Sequence, residues 1–561
     1  MITGSDAPAC RGGLALLLVL ILASPVYVVA QPHKSQVQNN FHITLPEPEV
    51  LRDPIEGRYH VIAIPGLSYL LKPGRPVLPV KVITLKLPAK AEVLSVSVDI
   101  SYSILPGSYR IMPAPQPRPL DGRREEAPKL QPDPEVYSST EFFPEEDFTY
   151  STAVGIDPES LTDVLYLSIK VYPVKYLPAK GLVEYAREFA VSVSYTQPAE
   201  PAQTYDKKLV IITSNDLIEA ADTLAAQRQS EGWDVVVETV DYIDANYAGV
   251  DVQEKIRNFI IEKKDGGYAF FLILGDASHV PVRLAYAPDG YDDNDDPDYG
   301  GDGSYVETDL YYADLQGTWD GDGDGRYGEG KADGVDGAPD IFLGRLPAST
   351  LDEANAMVNK VINYAPDASW FKRYLFLGTV TFDDDKHPEG EYLKDYIEYN
   401  LLPSDFYWVK LYDQLDNLTA DEVQNQIGSV GYGFVNFAGH GNPDGWYSGP
   451  LYGYRQVYSS TLAASLTNSD RLPIVITMAC MTARFYDTVS IGAEFLKNPN
   501  GGAIAYFGAT RVAWGYVGFV ITEGLAGKMD LLLNERILGV VGTSEPWLGP
   551  AFAAAIADYV T

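Results

Sequence analysis

The sequence predicts an α/β arrangement, two βα subdomains with a mostly parallel sheet, preceded by an all-β domain. Three observations carry this. Up to about residue 205 the chain reads as strand alternation bounded by Pro and Gly; beyond it, short apolar runs alternate with helical stretches. Two of the later runs, FVNFAGHG and LPIVITMAC, deliver His440 and Cys480 at their carboxyl ends. Strands buried on both faces read as continuous apolar runs, and open α/β sheets place reactive groups at the carboxyl ends of such strands.

Residues 1–30 read as an export signal. Arg11 precedes the apolar run Leu14 to Ala23, and Val28 and Ala30 place small residues at the −3 and −1 positions before Gln31. That core is short for a membrane span and Pro25 interrupts it, so a cleaved leader, a secreted or extracytoplasmic chain and no stable span are expected. Residues 31–205 form the β-rich domain, with YHVIAIPG, LPVKVITLKLP, AEVLSVSVDISYSI, VLYLSIKVYPVKYL and FAVSVSYT as its strands. Inside it, Pro113 to Phe148 is dense in proline and charge and is expected to be an exposed loop. Arg118, Arg123 and Arg124 make it either a processing site or a merely solvated basic patch.

From Thr204 the βα rhythm begins. Residues 206–370 hold strands KLVIITS, WDVVVETV, AFFLILG and IFLGRL, with helices over Asp216 to Glu231, Val252 to Lys264 and Leu351 to Tyr364. Residues 371–561 hold RYLFLGTV, FYWVKLY, the histidine run, the cysteine run and GAIAYFG. Helices are expected there at Glu391 to Leu401, Ala420 to Ile427, Ser459 to Leu466, Ser490 to Leu496 and over AFAAAIADYV.

An acidic insertion, 289–340, interrupts the first set. Within it DGDGDG, Asp320 to Gly325, matches the first half of a calcium loop, with side-chain oxygens at alternate residues and Gly where the chain turns. Position 12 of that loop is Lys331, so Asp320, Asp322 and Asp324 need a further oxygen, from Glu329, Asp333 or elsewhere in the insertion. The ion would be structural, since hard oxygen ligands give no activated water of the zinc type.

Composition narrows the function. A net charge of −35, from 77 acidic and 42 basic side chains, disfavours nucleic acid and anionic lipid as partners. The six histidines, His33, His42, His60, His279, His387 and His440, are scattered without a His-Glu-x-x-His helix, so no catalytic metal is expected. No Gly-x-Ser-x-Gly elbow offers a serine nucleophile. Of two cysteines, Cys10 lies in the leader, leaving Cys480 as the one mature thiol: an inert core residue, an intermolecular bridge or a nucleophile. Paired with a Gly-flanked His, it suits attack on an amide carbonyl, with the Gly441 and Cys480 backbone N–H groups as oxyanion donors.

Gly439 to Gly441 together with ACMTARF, Ala479 to Phe485, resembles the gingipain family of cysteine peptidases and, more loosely, the caspase-like group. The resemblance extends to PDIFLGRLPA, where Asp340 stands at the position of a carboxylate that supports the catalytic histidine. It also covers GGAIAYFGATRVAWG, where Trp514 matches a tryptophan lining the substrate pocket. It implies a zymogen endopeptidase acting on protein or peptide substrates, in which Cys480 attacks, His440 transfers the proton, Asp340 orients His440 and the β domain is the inhibitory propeptide. Ala483 replaces a glycine common after the cysteine. The family prefers Arg or Lys before the cleaved bond, for which Asp352 or Glu353 would have to supply the pocket carboxylate. It also continues past the point matching Thr561 with a further strand, so either a fragment or a core lacking an edge strand is expected. Two other readings share these residues: an inactive exported binding or structural protein on the same fold, and a transpeptidase.

Overall fold

The computed structural model describes residues 35–122, 130–198, 203–287, 305–330, 332–382, 388–486 and 488–561. The leader, Arg123, Arg124 and much of the acidic insertion lie outside them. Among the described residues no helix is long and apolar enough to cross a membrane.

The first domain is built from antiparallel strands. Phe148–Asp157 and Thr162–Val171 form a hairpin whose second strand also pairs with Leu78–Pro88, and Glu188–Gln197 pairs with both Ser35–Thr44 and Val93–Ile100. Period-two alternation aims one set of side chains inward, and Leu165, Leu167, Ile169, Val191 and Val193 meet in one apolar core.

The second region holds two parallel sheets. One orders Asp234–Thr239, Lys208–Thr213, Phe270–Leu274 and Phe342–Leu346. The other orders Tyr407–Tyr412, Arg373–Gly378, Phe434–Ala438, Ile474–Met478 and Ala505–Phe507. Phe434–Ala438 and Ile474–Met478 are buried at every position, as helices on both faces of a parallel sheet require. Asp251, Thr350 and Ser490 cap their helices through side-chain oxygens on backbone N–H groups, each contributing about 1 kcal/mol. Two buried polar ties hold the architecture. Asn436, on the histidine strand, donates to Asp530 (2.7 Å), which also pairs with buried Lys394 (2.7 Å), fixing that strand to the helix Leu525–Val540. Lys360 donates to the carbonyls of Phe495 (3.1 Å) and Leu496 (2.7 Å), joining the two sheet systems, and burial pulls its pKa down to about 7.

Three departures from the sequence reading bear on the site and its frame. The expected helix over Ala420 to Ile427 ends at Asn425 and runs on as a single wider turn, Gln426–Val430. Leu525–Val540 is a helix that the reading did not include. The third departure matters most. The proline-rich stretch expected to be exposed is buried at residues 113–115 and again at 118–121. Ala114 and Leu130 pack with Tyr59, Val61 and Val77 of their own domain, whereas Leu120 joins the apolar cluster of the second parallel sheet.

Candidate active site

Two adjacent parallel strands set the site. Ala438 pairs with Met478 as the last rung between them, so His440 and Cys480 each stand two residues beyond the same rung. Gly439 N–H still donates to the Met478 carbonyl (3.1 Å), which holds the two strand ends together. At Gly441 a Cβ would lie 2.5 Å from the Cys480 carbonyl oxygen, so only glycine allows this approach. Immediately after the cysteine, Met481 has φ 55°, a left-handed conformation unusual outside glycine that turns the chain sharply out of the strand.

His440 is buried, and its Nε2 donates to the Thr381 carbonyl. A carbonyl only accepts, so Nε2 carries a proton and Nδ1 is the nitrogen able to receive one. The ring sits against Phe382 (6.1 Å between centroids) and Tyr454 (5.5 Å). Burial, with Asp121 and Cys480 nearby, pushes the Tyr454 hydroxyl well above its ordinary pKa. The Cys480 sulfur accepts the Ala513 N–H at 3.1 Å and donates its own proton to the Ala513 carbonyl at 3.5 Å.

Asp340 does not join this pair. Its carboxylate accepts from Leu315 N–H (2.7 Å), Gln316 Nε2 (3.2 Å) and Lys264 (3.4 Å), all in the first sheet system, and burial raises its pKa. The residue precedes the strand Phe342–Leu346, at the amino end of its sheet, whereas His440 follows the carboxyl end of another. Among the described residues, the Thr381 carbonyl is the acceptor that His440 Nε2 meets. Behind it, buried Glu389 accepts the N–H groups of Phe382 (3.4 Å) and Gly518 (3.0 Å), bracing the segment that carries that carbonyl. Sequence reasoning missed both: a backbone carbonyl leaves no trace in residue identity, and Glu389 reads as a first-turn helix acid.

Trp514, expected to line a substrate pocket, directly follows Ala513, which bonds the Cys480 sulfur, but its strand partner is unexpected. Trp514–Gly515 forms a two-stranded antiparallel ribbon with Arg118–Pro119 of the first domain. Leu120 N–H then donates to the Ala513 carbonyl (2.8 Å), and the Leu120 carbonyl accepts the Gly441 N–H (3.1 Å). The Asp121 carbonyl accepts from the Tyr454 hydroxyl. Arg118 is 4% exposed, with its guanidinium carbon 5.3 Å from the Phe382 ring centroid, so it is no accessible processing site while seated here. The basic specificity candidates Asp352 and Glu353 lie elsewhere, in the first turn of the helix Leu351–Asn363.

In the insertion, the carboxylates of Asp320, Asp322 and Asp324 bring oxygens within 4.8 Å of one another. Glu329 is outside that group, though the charges of Asp324 and Asp322 help raise its pKa, after burial. Asp333 accepts the N–H groups of Gly321 (2.9 Å), Gly328 (2.8 Å) and Glu329 (2.7 Å), which closes the loop.

The family model described as peptidase family C25 matches residues 202–561, and that of its propeptide matches residues 33–223. Lys-gingipain of Porphyromonas gingivalis is 25% identical over 285 residues, covering 49% of this chain and 14% of that protein. Gingipain R2 of the same organism is 22% identical over 399 residues, covering 64% of this chain and 47% of that protein. The chain thus spans less than half the length of these relatives. An uncharacterized protein of Archaeoglobus fulgidus is 24% identical over 383 residues, covering 62% of this chain and 87% of its own. Among solved structures, the complex of P. gingivalis RgpB pro- and mature domains is similar at a TM-score of 0.44 and 14% identity, covering 63% of this chain and 74% of that one.

Proposed function

Because the chain belongs to peptidase family C25, we propose that it is an exported cysteine endopeptidase made as a zymogen, with its own β domain as inhibitor. The observation that carries the reading is the segment Arg118 to Asp121 seated across the His440 and Cys480 strand ends in an extended conformation, as a substrate would be.

In the reaction, His440 Nδ1 takes the Cys480 proton and the thiolate adds to the carbonyl carbon of the bond to be cut. The Gly441 N–H, with that of Cys480, holds the oxygen as it becomes an oxyanion. The carbon–nitrogen bond breaks, the leaving amine takes the proton from His440, and water, deprotonated by the same ring, hydrolyses the thioester. The Thr381 carbonyl holds the imidazole in the tautomer this needs.

Cys480 is fully buried, which taken alone suits the inactive alternative. What distinguishes the two is the source of the cover: Leu120 shares the apolar cluster of Cys480, and it comes from the propeptide region. Alkylation decides between them. After proteolytic nicking of the full chain, iodoacetamide is expected to label Cys480 stoichiometrically and to abolish casein cleavage. Labelling without loss of cleavage, or no cleavage before labelling, sinks the assignment.

Calcium belongs to this proposal as a structural ion held by Asp320, Asp322 and Asp324. The convergence of three carboxylates on a loop closed by Asp333 supports it, and the ion enters no step of the reaction.

A further inference from the structure

The segment in the cleft also reports what the cleft selects. In an extended strand, residues two apart share a face, so Arg118 and Leu120 both point toward the catalytic domain while Pro119 pairs with Trp514. Which of the two stands at the position before a cleaved bond is fixed by the backbone. The carbonyl on the Gly441 N–H is that of Leu120, and the Leu120 N–H is the one held by Ala513. The same Ala513 donates its own N–H to the Cys480 sulfur. Leu120 is therefore registered with the reactive atoms, and Arg118 lies two residues upstream.

Among the described residues, those that meet the Leu120 side chain are apolar. It has no exposed surface. A Cβ built on Gly515 would meet Ile521 Cδ1 at 3.2 Å, Leu120 Cδ2 at 3.4 Å and Phe382 Cζ at 3.7 Å, so these three side chains converge on one point against bare backbone. Ile521, Phe382 and Leu120 are continuous with the core of the second parallel sheet. A carboxylate does lie behind Phe382, but Glu389 engages the backbone N–H groups of Phe382 and Gly518. An arginine or lysine in the place of Leu120 would bring a charge into this packing, where an uncompensated ion is strongly disfavoured.

Resting on the peptidase reading above, we propose that this enzyme cleaves after leucine or an apolar side chain of similar size, in a pocket walled by Phe382, Gly515 and Ile521. Leu120 is the propeptide's copy of the substrate residue. Arg118 marks a second, upstream contact on the Phe382 ring, where a cation is favoured by the aromatic face.

The test uses the full chain with Leu120→Asp, which places a charge in the pocket and expels the segment; Leu120→Gly, which empties it, serves if the first variant fails to fold. Two measurements run together: kcat/KM on N-acetyl-Arg-Pro-X-aminomethylcoumarin, and binding of the N-acetyl-Arg-Pro-X amides, read by tryptophan fluorescence, to the same variant carrying Cys480→Ala, with X as Leu, Arg, Lys or Asp. Leucine is expected to exceed arginine and lysine by about 100-fold in both, a ratio in the range that pocket complementarity supplies. Gly515→Ala should lower the leucine value selectively. Cleavage after arginine or lysine as fast as after leucine overturns the specificity and leaves the peptidase standing. Tight binding of the leucine peptide with no cleavage of any peptide leaves the pocket standing and overturns the peptidase.

Discussion

The two parallel sheets of the second region end in opposite ways, and the contrast locates function better than either sheet alone. In the first, the carboxyl ends of the strands are closed by their own neighbourhood. Arg345 donates to the carbonyls of Gly275 (2.8 Å) and Val280 (3.0 Å) and makes a two-pronged ion pair with Asp309 (2.6 and 2.7 Å). Gly275 and Asp276 N–H groups bond to the Leu346 and Ala348 carbonyls, each at 2.9 Å. In the second, the Gly441 N–H and the Ala513 carbonyl find their partners on Leu120, in another domain and hundreds of residues earlier. A sheet end that satisfies its own polar groups is scaffold. One whose polar groups are met by a separable segment is a site, because those groups were built to meet something that leaves.

That contrast can be broken by experiment, beginning with the largest effect. Asp309→Ala strands the Arg345 guanidinium in a buried position and is expected to cost about 3–5 kcal/mol in stability, read by urea unfolding. Loss of activity at unchanged stability would show that the first sheet end is more than scaffold. Gly441→Ala should do the reverse. With its Cβ 2.5 Å from the Cys480 oxygen it must displace the oxyanion donor, and a drop of about 100-fold in kcat is expected while circular dichroism stays native. Full activity in that variant would remove Gly441 from the mechanism. Smallest of all, stripping calcium with EGTA should lower the melting temperature by about 2–4 °C without altering KM for peptides. An unchanged melting curve would dismiss the ion.

How much of this was legible in the sequence depends on the range of the signal. Apolar runs and helical spacing report local structure, and the helices at Val252–Asp265 and Leu351–Asn363 fall within a residue of where the pattern puts them. The helix Leu525–Val540 escaped because LAGKMDLLLNERILGV begins without a side-chain cap and carries glycine inside. Strands of three residues, such as His440–Asn442 and Gly445–Tyr447, are too short for alternation to register. Cys480 and His440, proposed here as nucleophile and base, stood out because their residue types are scarce in this chain. Asp340 misled because a carboxylate next to a strand looks the same whether it faces a histidine or, as here, Lys264 and Gln316. Leu120 was invisible for the plainest reason: its partners Gly441 and Ala513 lie far off in the chain, and a leucine among prolines carries no mark of what it touches.

The seated segment has a further consequence, one of competition. A strand tethered in the same chain presents itself at an effective concentration of order millimolar, whatever the concentration of the protein. A free peptide making the same contacts must match that figure to displace half of it, so latency requires no bond stronger than an ordinary substrate's. Cutting the tether removes this advantage without touching a single contact in the cleft, and dilution then does the rest. Latency and substrate choice are thus written in the same atoms: a change that grips leucine peptides more tightly also holds the propeptide more tightly, and the two cannot be tuned apart.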